Sequence, residues 1–210
     1  MPKISFVFIG EGSSDSGLVN HLESLCLDCG AEEVTGTAPD LSALPRQVGH
    51  TVKAKLQAVL VLNASANLVF LHRDADSPTA DFRYQEIETA TRELGLILPH
   101  VAVVPIQATE AWLLLDEVAI RRAADKPGGR TPLDIPRPRE VENIHQPKER
   151  LWELLRTASE LSGRRLTRFN RDLERRRWLL LQELPTHGPV CEVRSWQRLK
   201  ADLTATIEQL

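Results

Sequence analysis

The most constraining feature of this chain is a short apolar run that stops on a glycine-flanked acid and gives way at once to a helical pattern. Residues 3–9 carry Ile4, Phe6, Val7, Phe8 and Ile9 and end at Gly10-Glu11-Gly12, which predicts a buried strand arriving at a turn. Ser13-Ser14-Asp15 then offers N-cap chemistry, Leu18, Val19, Leu22, Leu25 and Cys26 follow at helical spacing, and Gly30 closes the pattern. The rhythm returns along the chain: a helix over 44–62, a buried strand over 68–71 with a polar exit loop at 72–78, a polar helix over 79–94 closed by Gly95, a strand over 101–106 and a helix over 110–124. A fainter strand signal covers 33–37. Strands separated by helices of this length predict an α/β fold with a mainly parallel sheet flanked by helices.

The rhythm breaks at residues 125–147, which hold five of the 13 prolines and the Gly128-Gly129 pair, and so predict a long irregular segment. Only helical patterns follow, over 147–161, 165–184 and 195–210. The expected organisation is an α/β domain over 1–124, a Pro/Gly-rich segment over 125–147 and a helical, basic extension over 148–210. A chain of 210 residues is too short for an ordinary TIM barrel, and 42% hydrophobic with 26% charged residues excludes a disordered or fibrous protein. The apolar run before Glu11 is shorter than a signal-peptide core and far below the ~18 residues of a membrane span, so the expectation is a cytoplasmic protein with no membrane partner. Three cysteines, two of them close together at Cys26 and Cys29, fit a reducing compartment better than a disulfide framework. Oligomeric state leaves no mark on the sequence.

The working groups of an open α/β sheet lie outside the carboxyl ends of its strands. Three acidic clusters fall at such positions: Glu11 after the first strand, Asp74 and Asp76 after the central one, and Glu110 after the last. If the strands are parallel, all of them face one side. Asp74-Ala75-Asp76 lets two carboxylates reach one hard cation, with a further ligand from another strand end. Unit charges ~4 Å apart repel by ~4 kcal/mol at an effective dielectric of about 20, a penalty that Mg²⁺ or Mn²⁺ would remove.

The set Glu11-Gly12, His72-Arg73-Asp74-Ala75-Asp76 and Thr109-Glu110-Ala111-Trp112-Leu113-Leu114 resembles a Toprim-type catalytic domain over residues 3–116. In particular it is similar to a small Toprim-like family with a Glu-Ala-Trp-Leu-Leu signature, related to the Toprim nucleases of the overcoming-lysogenization-defect type. The resemblance implies that Glu11 assists acid–base chemistry, that Asp74 and Asp76 bind Mg²⁺ (or Mn²⁺) and that Glu110 is an additional metal ligand; the expected metal centre is Glu11, Asp74, Asp76 and Glu110. It implies phosphodiester chemistry on nucleic acid, and a separate ABC-type ATPase partner in bacterial defence or DNA maintenance. The sole tyrosine, Tyr84, lies on the polar helix, so a hydrolytic nuclease is favoured over a strand-passing enzyme. Two other readings stay open: a nucleotide-sugar transferase that uses Asp-x-Asp to hold a metal-bound diphosphate, and a non-catalytic adaptor that binds protein or nucleic acid.

Several motifs fail on inspection. Gly12 to Gly17 has phosphate-loop spacing, but Leu18 and Val19 stand where the lysine and hydroxyl belong, and Asp15 replaces the third glycine of a dinucleotide fingerprint. Cys26 and Cys29 fall at a helix C-terminus, where the dipole disfavours a thiolate, which predicts inert thiols.

Charge is unevenly distributed. Residues 1–116 carry a balance of −8 and residues 117–210 a balance of +5, within a net charge of −3. Residues 163–178 hold seven arginines, with Arg164, Arg168, Arg171 and Arg175 spaced to share a helical face and Leu166, Phe169 and Leu173 to share another. Such a stripe is expected to track a phosphate backbone without reading sequence; its bland counterpart is a solvated helix with local ion pairs.

Overall fold

The apolar run at the N-terminus forms the first strand, β1 (Lys3–Ile9), of a four-stranded sheet in a computed structural model that describes residues 1–44, 47–62 and 65–210. The chain divides into two compact units. One comprises Met1–Ala75, Thr79–Val104 and Gln197–Leu210, the other Asp76–Pro78 and Pro105–Trp196.

In the first unit β1 is followed by α1 (Leu18–Asp28), β2 (Glu33–Thr37), α2 (Val52–Leu62), β3 (Leu68–His72), α3 (Asp81–Glu93) and β4 (His100–Val103). The strands are all parallel, in the order β2-β1-β3-β4. All five residues of β3 are buried, as expected for an inner strand covered on both faces. Its register against β1 is set by Asn67, whose side chain accepts from the Ser5 N–H at 2.9 Å and donates to the Lys3 carbonyl at 2.8 Å. That clasp leaves Ile9 opposite Leu71. The Phe6 and Phe70 rings meet edge to face at 4.9 Å on adjacent strands, and Gly36 of β2 leaves room for Phe6, since a Cβ there would overlap its ring.

Two boundaries differ from the sequence expectation. α2 starts at Val52, because the Thr51 hydroxyl caps it by accepting from the Ala54 N–H at 3.2 Å; Pro45 and Arg46, within the helix expected over 44–62, lie outside the described residues. β4 stops at Val103, two residues before Pro105, which has no N–H for a ladder. Among the described residues no helix is long and apolar enough to cross a membrane.

The second unit holds α4 (Glu110–Leu113), α5 (Glu117–Ala123), α6 (Pro147–Ser159), α7 (Gly163–Phe169), α8 (Leu173–Gln182) and the start of α9 (Arg194–Ile207), whose later turns belong to the first unit. The helix expected over 110–124 is two helices, because Asp116 adopts an extended conformation and caps α5 by accepting from the Ala119 N–H at 3.0 Å. The helix expected over 165–184 is likewise divided, by a 3₁₀ turn at Asn170–Asp172. At the core the Trp112 and Trp196 indoles meet edge to face at 4.9 Å, and Trp112 Nε1 donates to Ser195 Oγ at 3.0 Å. Each indole removes on the order of 200 Å² from water, about 5 kcal/mol of transfer free energy before the entropy of ordering is subtracted. The division after residue 124 expected from composition therefore does not coincide with the compact units: the Trp112 helix packs with the helical half.

The Pro/Gly-rich segment is irregular apart from one 3₁₀ turn, Val141–Asn143, and its backbone is held by charged side chains. Arg121 donates to the Thr131 carbonyl at 2.7 Å, and Glu160, which ends α6 in a left-handed conformation (φ 54°), accepts from the N–H groups of Arg130 and Thr131 at 2.6 and 2.8 Å. The Thr131 and Arg130 amides lower the Glu160 carboxyl to about 2. A carboxyl lowered on folding stabilises the fold above its unfolded value of ~4.3, and that contribution fades as pH falls towards 2. Glu160→Gln is therefore expected to unfold at lower urea than wild type at pH 6, with the gap narrowing by pH 3; a gap independent of pH would contradict this role.

Candidate functional site

Because β1 and β3 are neighbours in register, the residues that leave their carboxyl ends meet. Strand order reverses between these two strands, the position where open α/β sheets form a crevice. Glu11 Oε2 accepts from the Asp74 N–H at 3.1 Å, joining positions 63 residues apart. Arg83 Nε donates to the Asp74 carbonyl at 2.9 Å, so the Asp74 backbone is tied on both sides. Beneath this contact lies His72, its side chain fully buried. The Glu11 N–H donates to His72 Nδ1 at 3.4 Å, and Nε2 faces Asp74 Oδ1 at 3.4 Å. Asp15 is also buried; its Oδ2 accepts from the Gly12 N–H at 2.8 Å and stands 3.5 Å from His72 Nδ1. Burial alone would lower the His72 pKa, but the hydrogen bond to Asp74 and the charges of Asp74, Asp15 and Glu11 outweigh it and hold it above the ordinary value.

Cations offset this concentration of acid. Lys55, on α2, donates to the carbonyls of Gly10 and Glu11 at 3.1 and 2.6 Å, and Arg73 lies 3.4 Å from Glu11 Oε1. Burial, and then the neighbouring Arg73 charge, lowers the Lys55 pKa. A cavity of about 790 Å³ opens beside Glu11, lined among others by Gly12, Ser13, Asp40, His50 and Lys55. The arrangement sets the oxygen donors of Glu11 and Asp74 beside the cationic groups of Lys55 and Arg73.

Asp76 and Glu110 belong to the second unit. Asp76 is exposed in a left-handed conformation (φ 51°), its N–H donating to the Gln107 carbonyl at 2.8 Å while the Gln107 N–H returns to Ser77 at 3.1 Å. Glu110 is buried at the start of α4, and its Oε1 accepts from Arg177 Nε at 2.6 Å. A charge-assisted bond between side chains only 6% and 7% exposed gives Glu110 a structural occupation that sequence spacing did not foresee. Among the described residues no group of three or more His, Cys, Asp or Glu side chains is arranged to hold a metal ion.

The seven arginines of residues 163–178 separate into two sets. Arg176 and Arg177 turn inward: Arg176 donates to the Ala123 carbonyl and to Asp125 Oδ2, the latter at 2.7 Å, and stacks 4.0 Å from the Phe169 ring centroid. Arg164, Arg165, Arg168, Arg171 and Arg175 are exposed, and among the described residues none of them has an ion-pair partner. Leu166 is half-buried and Phe169 and Leu173 are buried, so the apolar side of this stretch faces the unit's interior.

Asp15, Lys55 and Arg73 were not singled out from sequence as site residues. Asp15 carried a signal, an acid within a glycine-rich loop after a strand; Lys55 carried none, since its role depends on α2 packing beside β1. Cys26 and Cys29 are outside any disulfide, burial pushes Cys26 up to about 12, and Cys29 Sγ accepts from the Thr204 hydroxyl at 3.3 Å.

The first unit is thus an α/β assembly with a four-stranded, all-parallel sheet flanked by helices, consistent with a Rossmann-like fold. No protein-family profile matches the chain, and no curated protein or solved structure matches it significantly.

Breaking a buried ion pair by removing one partner costs about 3–5 kcal/mol, whereas replacing both by neutral groups is often close to neutral. Glu110→Gln and Arg177→Met are each expected to lower stability in urea by that order, and the double variant to recover most of it. Full stability of Glu110→Gln alone would show that the pair does not hold α4 and α8 together.

Proposed function

We propose that this chain is a divalent-cation-dependent phosphodiesterase acting on nucleic acid, with a Toprim-like first unit. The observation that carries the reading is the meeting of Glu11 with Asp74 at the one rim of a parallel sheet where strand order reverses. Mg²⁺ commonly takes one or two carboxylates and keeps several waters, so Glu11 and Asp74 are a donor set of the right kind, with Asp76 two residues further on. Bound there, such an ion would lower the pKa of a water and neutralise phosphate charge. His72 positions both carboxylate-bearing segments, Lys55 and Arg73 stand ready to orient a phosphate, and Glu11 is the group placed to move a proton. The five exposed arginines supply the second support, a cationic surface suited to a phosphate backbone. Glu110, committed to Arg177, is assigned a positioning role in preference to metal binding. The ABC-type ATPase partner belongs to the same proposal and follows from the resemblance alone. A nucleotide-sugar transferase reading leaves the Glu11 contact unexplained.

The test is incubation of labelled DNA and RNA with Mn²⁺, wild type beside Asp74→Ala. Cleavage by wild type that falls by about 100-fold or more in the variant is expected; equal cleavage by both proteins would reject the assignment.

A further inference from the structure

One aromatic side chain in the second unit is placed unlike the others. Of the four tryptophans, Trp112, Trp152 and Trp196 are buried, whereas Trp178 on α8 is 45% exposed. It lies one helical turn from Arg175 on α8, and Arg171 precedes that helix in the 3₁₀ turn Asn170–Asp172; both arginines are exposed and without an ion-pair partner among the described residues. Glu174, the acid nearest in helical spacing, is engaged by Lys148 at 2.8 Å, which leaves Asp172 as the one uncommitted carboxylate in this stretch. Inward-facing Arg176 and Arg177 anchor the same helix through Asp125 and Glu110, so the exposed side is presented from a fixed support.

We propose that Trp178, flanked by Arg171 and Arg175, is a stacking platform for an unpaired base, and that the nucleic acid this surface takes is single-stranded. The inference deepens the phosphodiesterase reading by naming the substrate's strandedness, and rests on that reading only for its role in catalysis. A duplex offers phosphates to the arginines but keeps the faces of its bases inside the stack. A single strand offers both phosphates and π-faces, and every base has such a face, so recognition is tolerant of sequence. The guanidinium groups beside the indole add backbone contacts that weaken with salt. An acidic protein would satisfy the arginines and leave the indole without a planar partner.

The experiment measures binding in EDTA, where no metal-dependent cleavage occurs, by anisotropy of labelled single-stranded oligonucleotides and of a duplex of the same length. Wild type is expected to favour the single strand, and Trp178→Leu to weaken that binding at least about fivefold, the lower end of the loss measured for a stacked base. Duplex binding should stay within twofold, and Trp178→Phe should restore most of the single-strand affinity. Arg171→Glu/Arg175→Glu should weaken both forms. Because the other three tryptophans are buried, quenching of wild-type indole fluorescence by the single strand is a second readout. Equal single-strand affinity of wild type and Trp178→Leu, or no oligonucleotide binding by wild type, would overturn the proposal. Equal cleavage by wild type and Asp74→Ala, with stacking intact, would instead overturn only the catalytic reading.

Discussion

The Asp74 N–H reaches the Glu11 carboxylate only because β1 and β3 run parallel side by side with Ile9 opposite Leu71. A slip of one residue would turn every side chain of the strand to the other face and carry Asp74 past Glu11. Asn67 guards against that slip by bonding β1 through both ends of its amide, and the fully buried β3 makes any other register costly in apolar exposure. What β3 delivers beyond the sheet is then held by Arg83 and by the buried His72. The site is a consequence of sheet register, continued one or two residues past the strands.

Its electrostatics follow from that crowding. Glu11, Asp15 and Asp74 surround one buried imidazole, with Lys55 and Arg73 alongside. Asp15 and Asp74 face the two nitrogens of that ring at 3.5 and 3.4 Å, and Arg73 stands 3.4 Å from Glu11. Side-chain cations, Lys55 and Arg73, balance part of this acidic charge. The second unit pairs its acids with arginines directly: buried Glu110 with Arg177, and exposed Asp125 with Arg176. One arginine-rich stretch thus supplies both internal neutralisation and an exposed cationic surface.

Much of this was legible in the sequence, for reasons that can be named. Strand–turn–helix alternation announced the parallel sheet, and an acid directly after a buried strand announced Glu11 and Asp74, because strand ends in such sheets share one rim. Spacing could not reveal that Glu110 is committed to Arg177, since that pairing links α4 to a helix 67 residues away. Nor could it separate Arg175 from Arg176 and Arg177, since burial depends on which side of α8 meets the unit's interior. Lys55 was hidden for the same reason: only the packing of α2 brings its ammonium to the Gly10 and Glu11 carbonyls. Helix boundaries moved where a side chain captured the backbone, as Asp116 and Thr51 do. Residues whose role is local were readable; those whose role is a tertiary contact were not.

In the proposed function Glu11 and Asp74 together form the seat of a divalent cation. Titration of the protein with Mn²⁺, followed by electron paramagnetic resonance, addresses it without reference to any substrate. Saturable binding by wild type, weakened at least about tenfold in both Glu11→Gln and Asp74→Asn, is the result expected. Indistinguishable Mn²⁺ binding by all three proteins would contradict it.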